Sequence, residues 1–201
     1  MSTRKPSLVV IGGPNGAGKT TAVPILLRDL FRVEEFVNAD LIAQGISVFD
    51  PASAAVAAGR VMLRRLNELA RARADFAFES TLASRTLAAW ICRRKEEGYG
   101  VGLLFLWLPS VDIAIERVRR RVSAGGHDIP EAVIRRRYER GLRNFFALYR
   151  PLADRWRVYD NSNLTGVHEL ARGESGATDR VTDEETWKQI QSHVRSGGAQ
   201  A

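Results

Sequence analysis

The residues most suited to chemistry follow the spacing G-x-x-x-x-G-K-[ST], which is typical of a phosphate-binding loop. They are Gly13, Pro14, Asn15, Gly16, Ala17, Gly18, Lys19 and Thr20. The apolar run 7–12 before them suits a buried strand, and apolar residues recur at helical spacing after them up to residue 31. Such a loop aims backbone N–H groups and the positive helix end at one point, which is what a nucleoside triphosphate requires. We predict that Lys19 reaches the outer phosphates and that the Thr20 hydroxyl faces Mg²⁺.

Polar residues follow three further predicted strands, at the edge where open α/β sheets bind their ligands. They are Asn38-Ala39-Asp40, Glu79-Ser80-Thr81 and Asp160-Asn161-Ser162. Asp40 can accept the proton of an attacking hydroxyl, as an aspartate does in phosphoryl transfer. The alternative is that Asp40 caps the short helix 41–45. Glu79 can bind the acceptor or a Mg²⁺-bound water, and its alternative is a surface carboxylate in a loop.

Arginines dominate the positive excess of this chain, whose net charge is +7. Ten of them lie in one region: Arg117, Arg119, Arg120, Arg121, Arg135, Arg136, Arg137, Arg140, Arg143 and Arg150. Because no aromatic-interleaved basic strand accompanies them, binding of small phosphates is favoured over binding of nucleic acid. The break at 122–129 is predicted to be a mobile lid with hinges at Gly125 and Gly126 and a hydrogen-bonding His127. The arginines at its rims, notably Arg117, Arg121 and Arg136, are candidates for contact with the γ-phosphate.

Strands and helices alternate along the chain, which predicts an α/β fold with a five- to six-stranded, mainly parallel sheet flanked by helices. We predict strands at 7–12, 35–38, 76–79, 101–108 and 156–160, and an edge strand at 168–172. Helices are predicted at 19–31 with a bend at Pro24, at 50–73 with Asp50 and Pro51 at its start, and at 84–97, 110–122 and 130–149. A capping box at Thr182 and Glu185 starts a last helix that buries Trp187, Ile190 and Val194.

The length of 201 residues fits a single domain, which we predict over 1–196 with a disordered tail at 197–201. No apolar run approaches the ~18 residues of a membrane span. A strand that begins at residue 7 leaves no room for a signal peptide. The single cysteine, Cys92, excludes an internal disulfide framework and suits a reducing cytosol. We therefore predict a cytoplasmic protein.

Seven segments in a fixed order relate this chain to a known family. They are 13–21, Asn38-Ala39-Asp40, Ala58-Gly59-Arg60, Phe78-Glu79-Ser80-Thr81-Leu82, Gly125-Gly126-His127 with Pro130, Arg136-Arg137-Tyr138 and Asp160-Asn161-Ser162. In these segments the chain resembles the zeta-toxin-like P-loop kinases, and the similarity spans about residues 7–165. Zeta toxins use ATP to phosphorylate a sugar hydroxyl of UDP-N-acetylglucosamine, and many are neutralised by a small antitoxin protein.

The resemblance implies roles for individual residues. The ATP and Mg²⁺ site comprises the phosphate-binding loop with Lys19, Thr20, Thr21 and Asn161, and Asp40 matches the general base. The acceptor site matches Asn38, Glu79 and Thr81, while Arg121 and Arg136 are similar to the arginines that flank the transferred phosphate. The toxins often carry an arginine two positions after the motif threonine, where this chain has Ala83. The resemblance therefore leaves the acceptor open.

The sequence thus predicts an ATP-dependent kinase that acts on a small-molecule hydroxyl, with a nucleotide sugar as the favoured acceptor. A role as a toxin would add an antitoxin protein as a partner. Two other functions stay open at this point. One is a nucleotide-dependent binding or regulatory module whose arginine face holds nucleic acid or protein, and the other is a kinase of nucleosides or antibiotics.

Overall fold

Seven strands form one sheet in this computed structural model, which describes residues 4–22, 33–47, 53–126, 128–163, 166–175, 177 and 179–196. The strands are β1 Ser7–Gly12, β2 Glu35–Val37, β3 Phe76–Ser80, β4 Gly100–Trp107, β5 Arg155–Asp160, β6 His168–Glu174 and β7 Arg180–Val181. Their order across the sheet is β2-β3-β1-β4-β5-β6-β7. The first five strands are parallel, and β6 and β7 are added antiparallel at one edge. The α/β fold with a mainly parallel sheet is therefore confirmed.

Helices connect the strands on both faces of this sheet. The helix after β1, called α1, is described for residues 19–22. The others are α2 Ala39–Ile46, α3 Ala55–Arg71, α4 Arg85–Glu96, α5 Val111–Ser123, α6 Glu131–Asn144, a π-helical turn Phe145–Tyr149, α7 Arg150–Leu152 and α8 Glu184–Ser196. The predicted bend at Pro24, the residues Asp50 and Pro51, the role of His127 and the tail 197–201 lie outside the described residues. The predicted start of the helix at residue 50 is wrong, because residues 53–54 form a turn and α3 begins at Ala55. None of the described helices is long and apolar enough to cross a membrane.

The continuous apolar run of β4 is explained by burial on both faces of the sheet. Alternate side chains of the strand enter different cores, so Leu103 and Phe105 pack with Phe76 and Trp90, whereas Leu104 and Leu106 pack with Ile115 and Tyr138. One core is covered by α3 and α4 and the other by α5 and the first half of α6. A parallel strand enclosed in this way needs apolar residues at every position.

Short polar side chains fix the starts of several helices. The Ser84 hydroxyl accepts from Leu87 N at 3.2 Å and the Ser110 hydroxyl from Ile113 N at 3.3 Å. The predicted capping box at Thr182 and Glu185 is wrong by one residue, because Asp183 accepts from Thr186 N at 3.0 Å through Oδ1 and from its hydroxyl at 2.7 Å through Oδ2. Aspartate is a better N-cap than threonine, so it takes the position when the two are neighbours.

Two features of the fold lie beyond the sequence prediction. The predicted helix at 130–149 is α-helical only as far as Asn144 and continues as the π-helical turn. Strand β7 has two residues, too few to show the alternation by which strands are recognised. It pairs with β6 and extends the predicted five or six strands to seven.

Candidate active site

The phosphate-binding loop lies between β1 and α1, at the carboxyl edge of the parallel strands. Three of its glycines have positive φ values, 145° at Gly13, 78° at Gly16 and 75° at Gly18. Neighbouring backbone also excludes a side chain there, since a Cβ would lie 2.5 Å from Leu106 O at Gly13 and 2.6 Å from Ala114 O at Gly16. The loop is therefore seated directly on β4 and α5, and the glycines of the motif are required by its packing as well as by its conformation.

Lys19 is held inside this loop. Its Nζ donates to Gly13 O at 3.0 Å and to Pro14 O at 2.9 Å, and only 9% of the residue is exposed. Burial lowers the pKa of Lys19, and the carboxylates of Glu79 and Asp40 oppose that shift. An ammonium group so placed has lost most of its water, and its hydrogen-bond partners in the described part of the chain are two carbonyls. It is suited to an anionic ligand, which would replace the missing solvation.

Asn161 and Arg117 support the loop from the neighbouring strand. Asn161 follows β5, and its Nδ2 donates to Ala17 O at 2.7 Å. Arg117, on α5, donates to Asn161 O at 2.7 Å and to Ser162 O at 2.8 Å. The structure thus uses Arg117, one of the arginines predicted to reach the γ-phosphate, to hold two backbone carbonyls. Asn161 lies beside the phosphate-binding loop, as its predicted role with the nucleotide requires.

Asn38, and not Asp40, caps the helix that follows β2. Asn38 is the N-cap of α2, because its Oδ1 accepts from Asp40 N at 2.7 Å and from Leu41 N at 3.2 Å. The alternative that Asp40 caps a helix is therefore wrong. Asp40 lies in the first turn of α2 with 50% of its side chain exposed. The Asn38 Nδ2 also donates to the Thr20 hydroxyl at 3.4 Å, which joins α2 to the phosphate-binding loop.

Glu79 lies beside the phosphate-binding strand, since it pairs in register with Ile11 of β1. Burial raises the pKa of Glu79, while the Lys19 ammonium and hydrogen bonds from the side chains of Thr20 and Asn38 oppose the rise. Its Oε1 is buried and has no hydrogen-bond partner among the described residues. The alternative of a carboxylate on the open surface does not fit this position.

The oxygen atoms around Glu79 suit a magnesium ion that arrives with a nucleotide. They are the Thr20 hydroxyl and the Glu79 carboxylate with its unpartnered Oε1. No group of three or more His, Cys, Asp or Glu residues in the described part of the chain could hold a metal by itself. That donor set fits Mg²⁺, which is commonly held by one or two protein oxygens together with substrate phosphates and water.

Two arginines from different helices carry charges that interact with the Asp40 carboxylate. Nη1 of Arg121, on α5, lies 3.9 Å from Asp40 Oδ2, and 40% of the Arg121 side chain is exposed. Arg137, on α6, is half-buried, and burial lowers its pKa while the Asp40 carboxylate opposes that shift. Arg137 is also one of the charges that lower the pKa of Lys19. Arg136, which the sequence favoured, lies on the exposed side of α6.

Arg137 is the site residue that sequence reasoning missed. The signal for it was present in the helical periodicity of α6. The buried positions Ile134, Tyr138 and Gly141 define one face, and Arg137 is three or four residues from Ile134 and Gly141. Arg136 is two residues from Ile134 and from Tyr138, so it belongs to a different face.

The remaining predicted residues lie nearby. Thr81 is half-buried and follows β3 directly, and Leu82 N donates to the Ser80 hydroxyl at 3.0 Å. In the predicted lid, Gly125 has a φ of 86° and Gly126 N donates to Arg121 O at 2.9 Å. This segment therefore adjoins the base of the Arg121 side chain.

Three known proteins are similar to this chain, although no family model matches it. An uncharacterized protein of Haemophilus influenzae is 31% identical over 128 residues, which cover 63% of this chain and 88% of that protein. A chain of the AvrRxo1-ORF1:-ORF2 complex with ATP has a TM-score of 0.75 at 16% identity, and the match covers 94% of this chain and 64% of that one. A chain of the PezAT toxin-antitoxin system of Streptococcus pneumoniae has a TM-score of 0.62 at 14% identity, and the match covers 98% and 88%.

These similarities support different conclusions. At 16% and 14% identity the two solved structures establish the fold, which is the one that the resemblance to zeta-toxin-like P-loop kinases predicted. This chain spans slightly less than two-thirds of the AvrRxo1 chain. The Haemophilus influenzae protein is matched over most of its own length at a higher identity. The chain therefore belongs to the same family as that protein, within the fold of the P-loop kinases.

Proposed function

We propose that the protein is an ATP-dependent kinase that transfers the γ-phosphoryl group to a hydroxyl of a small molecule. The observation that carries the proposal is the position of Asp40. Asn38 caps the helix instead of Asp40. The half-exposed Asp40 carboxylate lies near the Arg121 guanidinium, and its charge interacts with Arg137 and with the buried Lys19. A carboxylate that is not used as a helix cap and interacts with three cations suits proton abstraction beside a phosphate.

The residues divide the reaction between them. Asp40 accepts the proton of the acceptor hydroxyl, whose oxygen forms the new bond to the γ-phosphorus while the bond to the leaving ADP oxygen breaks. Lys19, Arg121 and Arg137 compensate the charge that spreads over the transferred group. The Thr20 hydroxyl and the Glu79 carboxylate would hold Mg²⁺, which neutralises phosphate charge when bound.

We propose a nucleotide sugar, with UDP-N-acetylglucosamine as the first candidate, as the acceptor. Asn38, Glu79 and Thr81 all lie at the ends of neighbouring strands β2 and β3, on the Asp40 side of the loop. The support for this acceptor is the resemblance in these residues, and Ala83 is the departure from it. One of the solved structures with a similar fold comes from a toxin-antitoxin system, so we extend the proposal to an antitoxin-like protein partner.

The alternative of a nucleic-acid-binding module is weakened by the pairing of the outer arginines. Arg119 pairs with Glu131 at 2.9 Å, Arg120 pairs with Glu116, and Arg135 pairs with Asp112 at 3.0 Å and Glu131 at 2.8 Å. Acidic partners of this kind reduce the field that a polyanion would meet on that surface. The charged residues that act on Lys19 are Glu79, Asp40, Arg121 and Arg137, and each has a role in the proposed kinase reaction.

The experiment that tests the proposal compares the wild type with Asp40→Asn. With labelled Mg·ATP and UDP-N-acetylglucosamine, we expect Asp40→Asn to lower kcat by about 100- to 10,000-fold, the usual contribution of a general base. The Kd for Mg·ATP by calorimetry stays unchanged. Asp112→Asn, which removes an exposed acid of α5, is the matched control and keeps full activity.

A metabolite extract incubated with the wild type and ATP identifies the acceptor by a mass gain of one phosphate. A nucleoside or antibiotic that gains phosphate in place of a nucleotide sugar corrects the acceptor and keeps the kinase. Wild-type transfer rates in Asp40→Asn, or no acceptor-dependent transfer by the wild type, contradict the proposal.

A further inference from the structure

The segment 81–84, called the acceptor loop below, has a constrained backbone. Leu82 has a φ of 57° and is fully buried. A Cβ on Gly12, at the end of β1, would lie 2.7 Å from Leu82 Cδ1, so the leucine packs directly beneath the entry to the phosphate-binding loop. A leucine adopts a left-handed conformation only where its surroundings enforce it, and such positions concentrate at functional sites.

The constraint comes from helix α6 and the π-helical turn that continues it. The Asn144 Nδ2 donates to Leu82 O at 2.7 Å, and the Tyr149 hydroxyl donates to Ser84 O at 2.5 Å. Gly141 allows close approach, because a Cβ there would collide with Thr81 O. Two carbonyls of the acceptor loop are thus hydrogen-bonded to one helical segment, and a third, Thr81 O, packs against Gly141 of the same segment.

The same face of α6 reaches the phosphate side of the site. Arg137, Gly141 and Asn144 are spaced at i, i+4 and i+7, so they form one row along the helix. The charge of Arg137, at one end of the row, interacts with that of Asp40, and Asn144 holds the acceptor loop at the other end. A single rigid helix therefore sets the distance between a phosphate-side arginine and the loop that follows Glu79.

From this geometry we infer that Asn144 is a positioning residue for the acceptor. It holds the acceptor loop, and through that loop Thr81 and the end of β3, in register with Asp40 and Arg137. This inference rests on the kinase function proposed above. Transfer requires the acceptor hydroxyl within a narrow range of positions, and a displacement of about 1 Å at a reacting group costs about 100-fold in rate.

Asn144→Asp tests the inference because it keeps the shape of the side chain and removes the N–H donor. Asn67→Asp is the matched control, since Asn67 Nδ2 also donates to a backbone carbonyl, Leu63 O at 2.9 Å, far from the site. We expect amide hydrogen exchange at residues 82–84 to become about tenfold faster in Asn144→Asp, which corresponds to one lost hydrogen bond. In Asn67→Asp it stays at the wild-type rate.

Kinetics separate positioning from general damage. With Mg·ATP and UDP-N-acetylglucosamine, kcat/KM for the acceptor falls by about 100-fold in Asn144→Asp, whereas the Kd for Mg·ATP is unchanged. Asn144→Gln, which keeps an amide donor, recovers part of the loss. Gly141→Ala, which pushes against Thr81 O from the same helix, reproduces the acceptor defect and serves as the second variant if Asn144→Asp does not fold.

Unchanged exchange at 82–84 in Asn144→Asp overturns the inference. So does a loss of kcat/KM that is matched by a loss of Mg·ATP affinity, which would mark a merely structural role. If the wild type does not phosphorylate UDP-N-acetylglucosamine, that acceptor proposal fails, and the exchange experiment decides independently whether Asn144 holds the loop.

Discussion

The two halves of the candidate site differ in how completely the fold satisfies them. On the nucleotide side, Lys19 is 9% exposed and has two carbonyl partners, and Asn161 holds the loop. On the acceptor side, 50% of the Asp40 side chain is exposed, and Glu79 Oε1 is buried with no hydrogen-bond partner in the described part of the chain. The backbone of the nucleotide half is formed in advance, with Asn15 Oδ1 as its buried atom without a partner in the described part of the chain, whereas the acceptor half combines such an atom with an exposed carboxylate.

This difference follows from the way each half is built. The nucleotide half comes mainly from one continuous segment whose glycines pack on β4 and α5. The acceptor half is assembled from α2, α5 and α6, which contribute Asp40, Arg121 and Arg137. Groups contributed by separate helices leave room between them, which is where a substrate can enter.

The largest effect should come from breaking the preformed half with Gly13→Ala. The φ of 145° and the 2.5 Å approach to Leu106 O leave no space for a methyl group. We expect the strained backbone to cost about 1–3 kcal/mol of unfolding free energy and Mg·ATP binding to be lost in calorimetry. Gly59→Ala is the control, because nothing lies within 4 Å of its Cβ position in α3. The Gly59→Ala variant should be more stable by about 0.5–1 kcal/mol, as expected when alanine replaces a helical glycine that has room for a methyl group. Normal Mg·ATP binding by Gly13→Ala would contradict the seated-loop description.

The nucleotide half was well predicted from the sequence because it comes mainly from one continuous segment. The strand, the glycine loop and the start of the helix are contiguous, so their local pattern determines their geometry. Ser84 and Ser110 were also correctly predicted as helix starts, because an N-cap depends on its own neighbours. Where two capping residues were adjacent, as at Thr182 and Asp183, the local signal was ambiguous and the prediction was off by one.

The acceptor half was harder to predict because it depends on helix phase. A shift of one position rotates a side chain by about 100° around the helix. The sequence offered Arg135, Arg136 and Arg137 in succession, and only packing shows that Arg137 is the half-buried one, with its charge interacting with Asp40. The π-helical turn was also not predictable from the sequence, since it has no periodic signal of its own and its residues Phe145 and Tyr149 pack in the core.

The second comparison is between Arg137→Met and Arg136→Met. If the buried guanidinium contacts the transferred phosphate, Arg137→Met lowers kcat by about 100-fold, in the range for loss of one transition-state donor. Arg136→Met, one position away on the exposed side, should keep the wild-type rate. Steady-state transfer assays, with the acceptor that the metabolite-extract experiment identifies, measure both rates. A larger loss in Arg136→Met would reverse the assignment of the two arginines.

The smallest predicted effect is on the free energy of unfolding of Glu79→Gln, which tests whether the acceptor half holds an uncompensated charge. Because burial raises the pKa of Glu79, the folded state disfavours the ionised carboxylate. The contribution of Glu79 to stability is therefore greatest at acidic pH and is lost as the pH rises through its folded-state pKa. Glu79→Gln removes the charge, so its stability relative to the wild type should increase from acidic to neutral pH and reach about 1 kcal/mol, the order expected for an unsatisfied buried group.

Denaturant unfolding of both proteins between pH 4 and pH 8 measures this difference. A wild type that gains stability over Glu79→Gln as the pH rises would show that Lys19 compensates the carboxylate fully. The acceptor half would then be as well satisfied as the nucleotide half, and the contrast between them would disappear. The predicted result instead means that the fold retains an uncompensated acid at the end of β3, where a magnesium ion or its bound water could offset that cost.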